Sequence, residues 1–147
     1  MDTEGLLKSL KEHKVDFVVI GATAFPVHGY ARATLDIDIF IRPTKTNAER
    51  TRQALKAFGY QVAYIKTDAV LRKKLLIRQY AVETDVHPFV KGVRFEEVWR
   101  HKVESTIGNT TVHFASLDDL IKMKRAAGRV KDLEDLKFLK RLKKNLR

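Results

Sequence analysis

Cysteine is absent from the 147 residues, and there are only three prolines and one tryptophan. Without thiols the chain has no disulfide framework and no thiolate metal site. No apolar run approaches the roughly 18 residues that a membrane-crossing helix needs, so no membrane partner is expected. The N-terminus lacks a basic-then-apolar leader pattern, and a cytoplasmic location is the resulting expectation. Repeats and low-complexity stretches are also missing. Acids are in the minority: 18 Asp and Glu stand against 29 Lys and Arg, a net charge of +11. With 44% hydrophobic and 32% charged residues, the composition is that of a folded chain rather than a disordered one. The length suits one domain with a real core.

The positive charge is uneven. Residues 121–147 carry eleven Lys or Arg against Asp132, Glu134 and Asp135, a net of +8 that leaves only +3 for the rest. A basic segment of this kind can steer an RNA, DNA or nucleotide partner. Lys-rich helices are also simply soluble helix formers.

Where acids are scarce, two of them share one predicted strand. Asp36 and Asp38 alternate with Leu35, Ile37, Ile39 and Ile41. Strand side chains alternate faces, so the two acids lie on one face and the aliphatics on the other. Asp is depleted in strands, and carboxylates roughly 7 Å apart repel by about 2 kcal/mol at an effective dielectric near 20. A hard divalent cation with oxygen ligands removes that repulsion; a solvated face with two stray acids is the plain alternative. Upstream, the β-branched run 15–20 stops at Gly21, and a helix can start from Thr23 with Pro26 near its first turn. A glycine turn entering a helix leaves backbone N–H groups for an anion. A turn that holds a triphosphate above a metal-binding strand is the equipment of phosphoryl and nucleotidyl transfer.

The segment Gly21-Ala22, His28-Gly29, Arg32, Thr34, Asp36, Asp38 resembles the signature of the DNA polymerase β-like nucleotidyltransferase superfamily. More narrowly, it is similar to abortive-infection toxin type enzymes and the minimal nucleotidyltransferases of toxin–antitoxin pairs. Their pattern is a Gly-Gly or Gly-Ser turn, a His-Gly with a following Arg and Thr, then Asp-x-Asp. The chain departs at Ala22, which supplies neither a second glycine's freedom nor a hydroxyl; Thr23 is the nearest hydroxyl. A second block, Lys124, then Ala127-Gly128-Arg129, then Asp132-Leu133, resembles the end of the same family.

The resemblance implies an α/β (α+β) fold: a small mixed sheet with helices packed against it, closed by two C-terminal helices. Residues 1–147 would form one domain, with a sheet-containing core over 1–115 and a basic helical hairpin over 116–147. It implies transfer of a nucleoside monophosphate from an NTP to a hydroxyl of an RNA (tRNA), protein or small-molecule acceptor, with Mg2+ or Mn2+. Asp36 and Asp38 would bind the ion. Gly21, Ala22, Thr23, Arg32 and Lys124 would hold the triphosphate, and Arg129 with Asp132 would brace the corner between helices. Over residues 82–87, Val82, Thr84 and Val86 share one face and Glu83, Asp85 and His87 the other. If this strand lies beside the first pair of acids, Asp85 becomes the third catalytic and metal-binding carboxylate that the resemblance implies, with Glu83 its rival. A non-catalytic partner of a cognate toxin or antitoxin, or an RNA-binding module with the same fold, are the alternative readings.

The remaining expectations are structural. A first helix capped by Thr3 buries Leu6, Leu7 and Leu10. A second, capped by Thr46 or Asn47, runs to Gly59. Residues 60–65 read as a strand, and 67–80 fit a helix or a strand. A short helix over 95–101 precedes a hairpin, 103–107 and 110–114, around Gly108-Asn109. Ser116 caps the next helix, Gly128 ends it, and Asp132 caps a last helix with Leu133, Leu136, Leu139, Leu142 and Leu146 on one face. The five histidines show no paired metal spacing, so no zinc site is expected, and His28 reads as a loop hydrogen bonder.

Overall fold

Short β-branched runs and singly striped helices fold here into one mixed sheet with helices on both faces. The computed structural model describes residues 2–32, 34 and 36–146; the strand start expected at Leu35 lies outside them. The strands are Phe17–Ile20 (β1), Asp36–Ile41 (β2), Leu75–Ile77 (β3), Glu83–His87 (β4), Val103–Ile107 (β5) and Thr110–Phe114 (β6). They lie in the order β3-β4-β2-β1-β6-β5. β1 runs antiparallel to β2 and parallel to β6, and β2 runs parallel to β4. The helices are Thr3–Glu12 (α1), Lys45–Phe58 (α2), Thr67–Arg72 (α3), Phe95–His101 (α4), Leu117–Ala127 (α5) and Val130–Asn145 (α6), with a 3-10 helix over Gly21–His28. This mixed α/β sheet with two C-terminal helices has the architecture expected of a nucleotidyltransferase. No helix among the described residues is long and apolar enough to cross a membrane.

Alternation along β2 divides the sheet. Ile37, Ile39 and Ile41 are buried on one face, where Thr84 lies opposite Ile37 and meets the Tyr60 hydroxyl just beyond α2. Ser9 of α1 donates a hydrogen bond to the Ala54 carbonyl of α2 at 2.7 Å, tying the two helices together. The other face carries Asp36, Asp38 and Phe40. Phe40 meets Phe95 of α4 edge-to-face at 5.2 Å, which closes that end of the face and leaves the acid end open.

Local chemistry corrects several expectations. The cap of α1 is Asp2, whose carboxylate accepts the Gly5 N–H at 2.7 Å, rather than Thr3. The cap of α2 is Thr44, not Thr46 or Asn47; Asn47 instead bonds its amide to the carbonyls of Asp16 and Arg42. Residues 60–65 are not a strand. Tyr60, Val62 and Ile65 are buried, but the Gln79 side chain takes both the Gln61 N–H and its carbonyl, replacing a strand partner. Residues 67–80 divide into α3 and then β3. On α6, Leu136 and Leu139 are buried, while Leu133 and Leu146 are exposed. The hairpin forms as expected, with Gly108 at a φ of +60°. Glu4 of α1 accepts from Asn109 and Thr110 and fastens the turn.

The Tyr60 hydroxyl donates to the Val82 carbonyl and meets Thr84, which is fully buried. Tyr60→Phe leaves those groups short of a partner and is expected to cost about 1–3 kcal/mol in urea unfolding.

Candidate functional site

The antiparallel register of β1 and β2 sets Ile20 opposite Asp38, so the chain leaves β1 at Gly21 directly against that acid. Gly21 has a φ of +68°, and a Cβ there would lie 2.7 Å from Asp38 Oδ2. Glycine is thus required both by the backbone and by the space. The parallel register of β2 and β4 then aligns Asp36 with Glu83, Asp38 with Asp85, and Phe40 with His87. All of these side chains share one face.

Within this array His87 Nε2 lies 2.8 Å from Asp38 Oδ1. Asp38, Asp85 and His87 each offer a ligand atom, and these atoms lie within 4.8 Å of one another. Two carboxylates and an imidazole are a donor set that suits a divalent ion, and the missing side chain at Gly21 leaves room beside Asp38. Asp85 is buried and accepts from Arg78 Nη1 at 2.7 Å. Arg78 Nε also reaches Glu83 at 3.5 Å. The hydrogen bond to Asp85 raises the Arg78 pKa despite burial. Asp36 stands apart from the three-residue group. One of its oxygens is buried without a hydrogen-bond partner. A hydrogen bond with Asp36, then burial, raises the pKa of Glu83.

A cavity of about 450 Å³ opens beside Gly21, Asp38 and His87, with Lys74, Lys91 and Lys124 on its walls. A second, of about 300 Å³, is bordered by Ala22, Thr23, Arg32 and Asp36. The expected triphosphate residues are therefore divided: Gly21 and Lys124 belong to the first cavity, and Ala22, Thr23 and Arg32 to the second. The turn leads into a 3-10 helix that begins at Gly21 itself rather than an α-helix from Thr23. The Thr23 hydroxyl donates to the Asp36 carbonyl at 3.3 Å. A third cavity, of about 490 Å³ beside His101, Ser116 and Asp119, contains none of the expected site residues.

The chain matches, over residues 2–147, the model of a family described as nucleotidyl transferase of unknown function (DUF2204). It belongs to that family. No individually curated protein matches the chain.

In this chain the C-terminal motif ties α5 and α6 to the region beside the Gly21 turn. Lys124 Nζ lies 3.1 Å from Asp132 and 3.3 Å from Asp135. Asp135 also receives Arg32 Nε at 3.3 Å and the Tyr30 hydroxyl at 3.3 Å. Tyr30 stacks between Phe25 and Phe138. Asp132 is the third residue of α6 rather than its cap. Its carboxylate accepts the Arg129 backbone N–H and, at 2.6 Å, Arg129 Nε. His28 hydrogen-bonds the Ala115 carbonyl at 2.8 Å, as expected, but from the last residue of the 3-10 helix rather than from a loop.

His87, Arg78 and Asp135 have no role among the expectations drawn from sequence. For His87 a signal existed, since it alternates onto the face of Asp85. Arg78 and Asp135 sit in a loop and on a helix where nothing local announces their partners.

Burial works to raise the Asp132 pKa, but hydrogen bonds from Arg129 and Lys124 prevail and hold it at about 2. A carboxyl depressed in the folded state adds stability that is complete above its unfolded pKa. That stability disappears as pH falls through the folded value. Between about pH 4 and pH 2 the protein should lose about 2 kcal/mol from this group. Asp132→Asn should lack that part of the acid limb and be less stable at pH 7, as read by urea unfolding of both proteins across pH. Gly21→Ala forces an L-residue into the left-handed region and should cost about 1–2 kcal/mol, with the protein still folded by circular dichroism.

Proposed function

We propose that this transferase moves a nucleoside monophosphate from an NTP to a hydroxyl, with a divalent ion, Mg2+ or Mn2+, held by the acids of β2 and β4. The observation that carries the reading is the parallel register that sets Asp38 opposite Asp85 beside the Gly21 turn. Bound there, the ion would neutralise the phosphates and the developing charge. Asp38 and Asp85 serve as its carboxylate ligands, and Asp36 lies one step along the same face to complete the acid set. Asp85 is also the candidate base for the attacking hydroxyl. The Gly21 turn brings backbone close to the cavity, and Lys74, Lys91 and Lys124 give it the positive charge a triphosphate needs. Ala22, Thr23 and Arg32 border the neighbouring cavity and support the turn or the far end of the nucleotide. The basic C-terminal segment favours a polyanionic acceptor such as an RNA (tRNA) over a protein or small molecule. The two-block motif resembles that of transferases of toxin–antitoxin pairs, which supports a cognate toxin or antitoxin as a partner.

A second reading, a binding-only partner protein with this fold, is favoured by one observation. Lys124 and Arg32 are already engaged by Asp132 and Asp135, so both cations would have to exchange partners to meet a phosphate. Incubation with α-labelled NTPs, Mg2+ or Mn2+ and pooled RNA separates the two. The transferase reading expects labelled acceptor and pyrophosphate, and a fall of about 10²–10³-fold in Asp38→Asn, as loss of several kcal/mol of charge stabilisation requires. No product and no Mg·NTP binding at millimolar ligand would leave the partner reading.

A further inference from the structure

The geometry points to His87 as a direct ligand of the divalent ion, in the place that the sequence motif gives to Asp36. The site would then prefer Mn2+ or a later first-row ion to Mg2+. This inference rests on the metal-dependent chemistry proposed above.

Three observations support it. First, His87 Nε2 lies 2.8 Å from Asp38 Oδ1; neighbouring ligands of an octahedral ion at about 2.1 Å are themselves about 3 Å apart. The pair already has the spacing of two ligands on one ion. Second, Asp38, Asp85 and His87 are the three metal-type side chains whose ligand atoms gather within 4.8 Å among the described residues, and Asp36 is not among them. Asp36 borders the other cavity, with one oxygen buried and unpartnered. Third, Gly21 keeps the space beside Asp38 Oδ2 clear, where a Cβ would lie at 2.7 Å. Without the ion the Asp38–His87 contact is a hydrogen bond, with the imidazole as donor. As a ligand the imidazole binds through Nε2 as a neutral ring with its proton on Nδ1. Mg2+ takes oxygen ligands and keeps its waters, whereas a nitrogen donor favours first-row transition ions. The competing account is that His87 only orients Asp38 and never touches the ion.

The test uses the whole chain with Mn2+ and no nucleotide. Electron spin-echo spectra should show coupling to a histidine 14N, replaced by a 15N pattern when the protein is made with 15N-histidine. In His87→Gln that coupling should vanish and Mn2+ affinity should fall about tenfold or more. Mg2+ should displace Mn2+ more readily from the variant than from the parent. Mn2+ bound without nitrogen coupling, or with coupling that persists in His87→Gln, overturns the ligand role while leaving an all-carboxylate site intact. No Mn2+ binding at millimolar ion overturns both this inference and the metal-dependent transferase reading.

Discussion

Two carboxylates held opposite each other on adjacent parallel strands set the terms for everything around them. At about 5 Å and an effective dielectric near 20, such a pair repels by about 3 kcal/mol. The protein keeps them there because the register is fixed on the other face. A slip of one residue would turn Ile37 and Ile39, both buried, outward and bring the acids into the core. The charge is then answered locally. Arg78 grips Asp85, His87 meets Asp38, and Glu83 is held in its protonated form to higher pH beside Asp36. A face built only to be wet would need none of these partners.

The C-terminal helices are joined to this face by charge as well as by apolar packing. Asp132 is fully buried and Asp135 nearly so, and their cations come from three separate places: Lys124 on α5, Arg129 at the start of α6, and Arg32 in the loop before β2. Removing one partner from a buried ionic group costs more than the pair contributes, because a charge is left without solvent. The network therefore fixes where α5 and α6 sit against the Gly21–Arg32 region. Its net effect is to neutralise cations at the site, while most of the positive charge of residues 121–147 stays on the exposed faces of the helices.

Much of this was legible in the sequence because strand alternation is a strict rule. The faces of β2 and β4 follow from period-two patterning alone, and the hairpin and the Ser116 and Gly128 helix ends follow from turn and cap chemistry. What could not be read was pairing between distant segments. Gln79 occupying the backbone of Gln61 suppresses a strand that residues 60–65 otherwise resemble. Asp2 and Thr44 each took a cap one to three residues ahead of the expected one, a choice among neighbouring oxygens that local sequence leaves open. At the site, the acids were visible but their grouping was not: whether Asp36 or His87 completes the group with Asp38 depends on the direction of each side chain in three dimensions.

The substitution at Ala22 also has a physical explanation in the fold. Only Gly21 takes a positive φ in this turn; Ala22 lies within the 3-10 helix, buried, with an ordinary backbone. A second glycine would therefore relieve no strain at that position. What the chain gives up is a side-chain hydroxyl, and Thr23 does not return it, because its hydroxyl is engaged by the Asp36 carbonyl. A phosphate held at this turn would rest on backbone N–H groups and on the lysines of the cavity beside Asp38. Attraction to lysine charges is screened by salt whereas a hydroxyl contact is not, so under the proposed function NTP affinity measured across ionic strength should fall as salt rises.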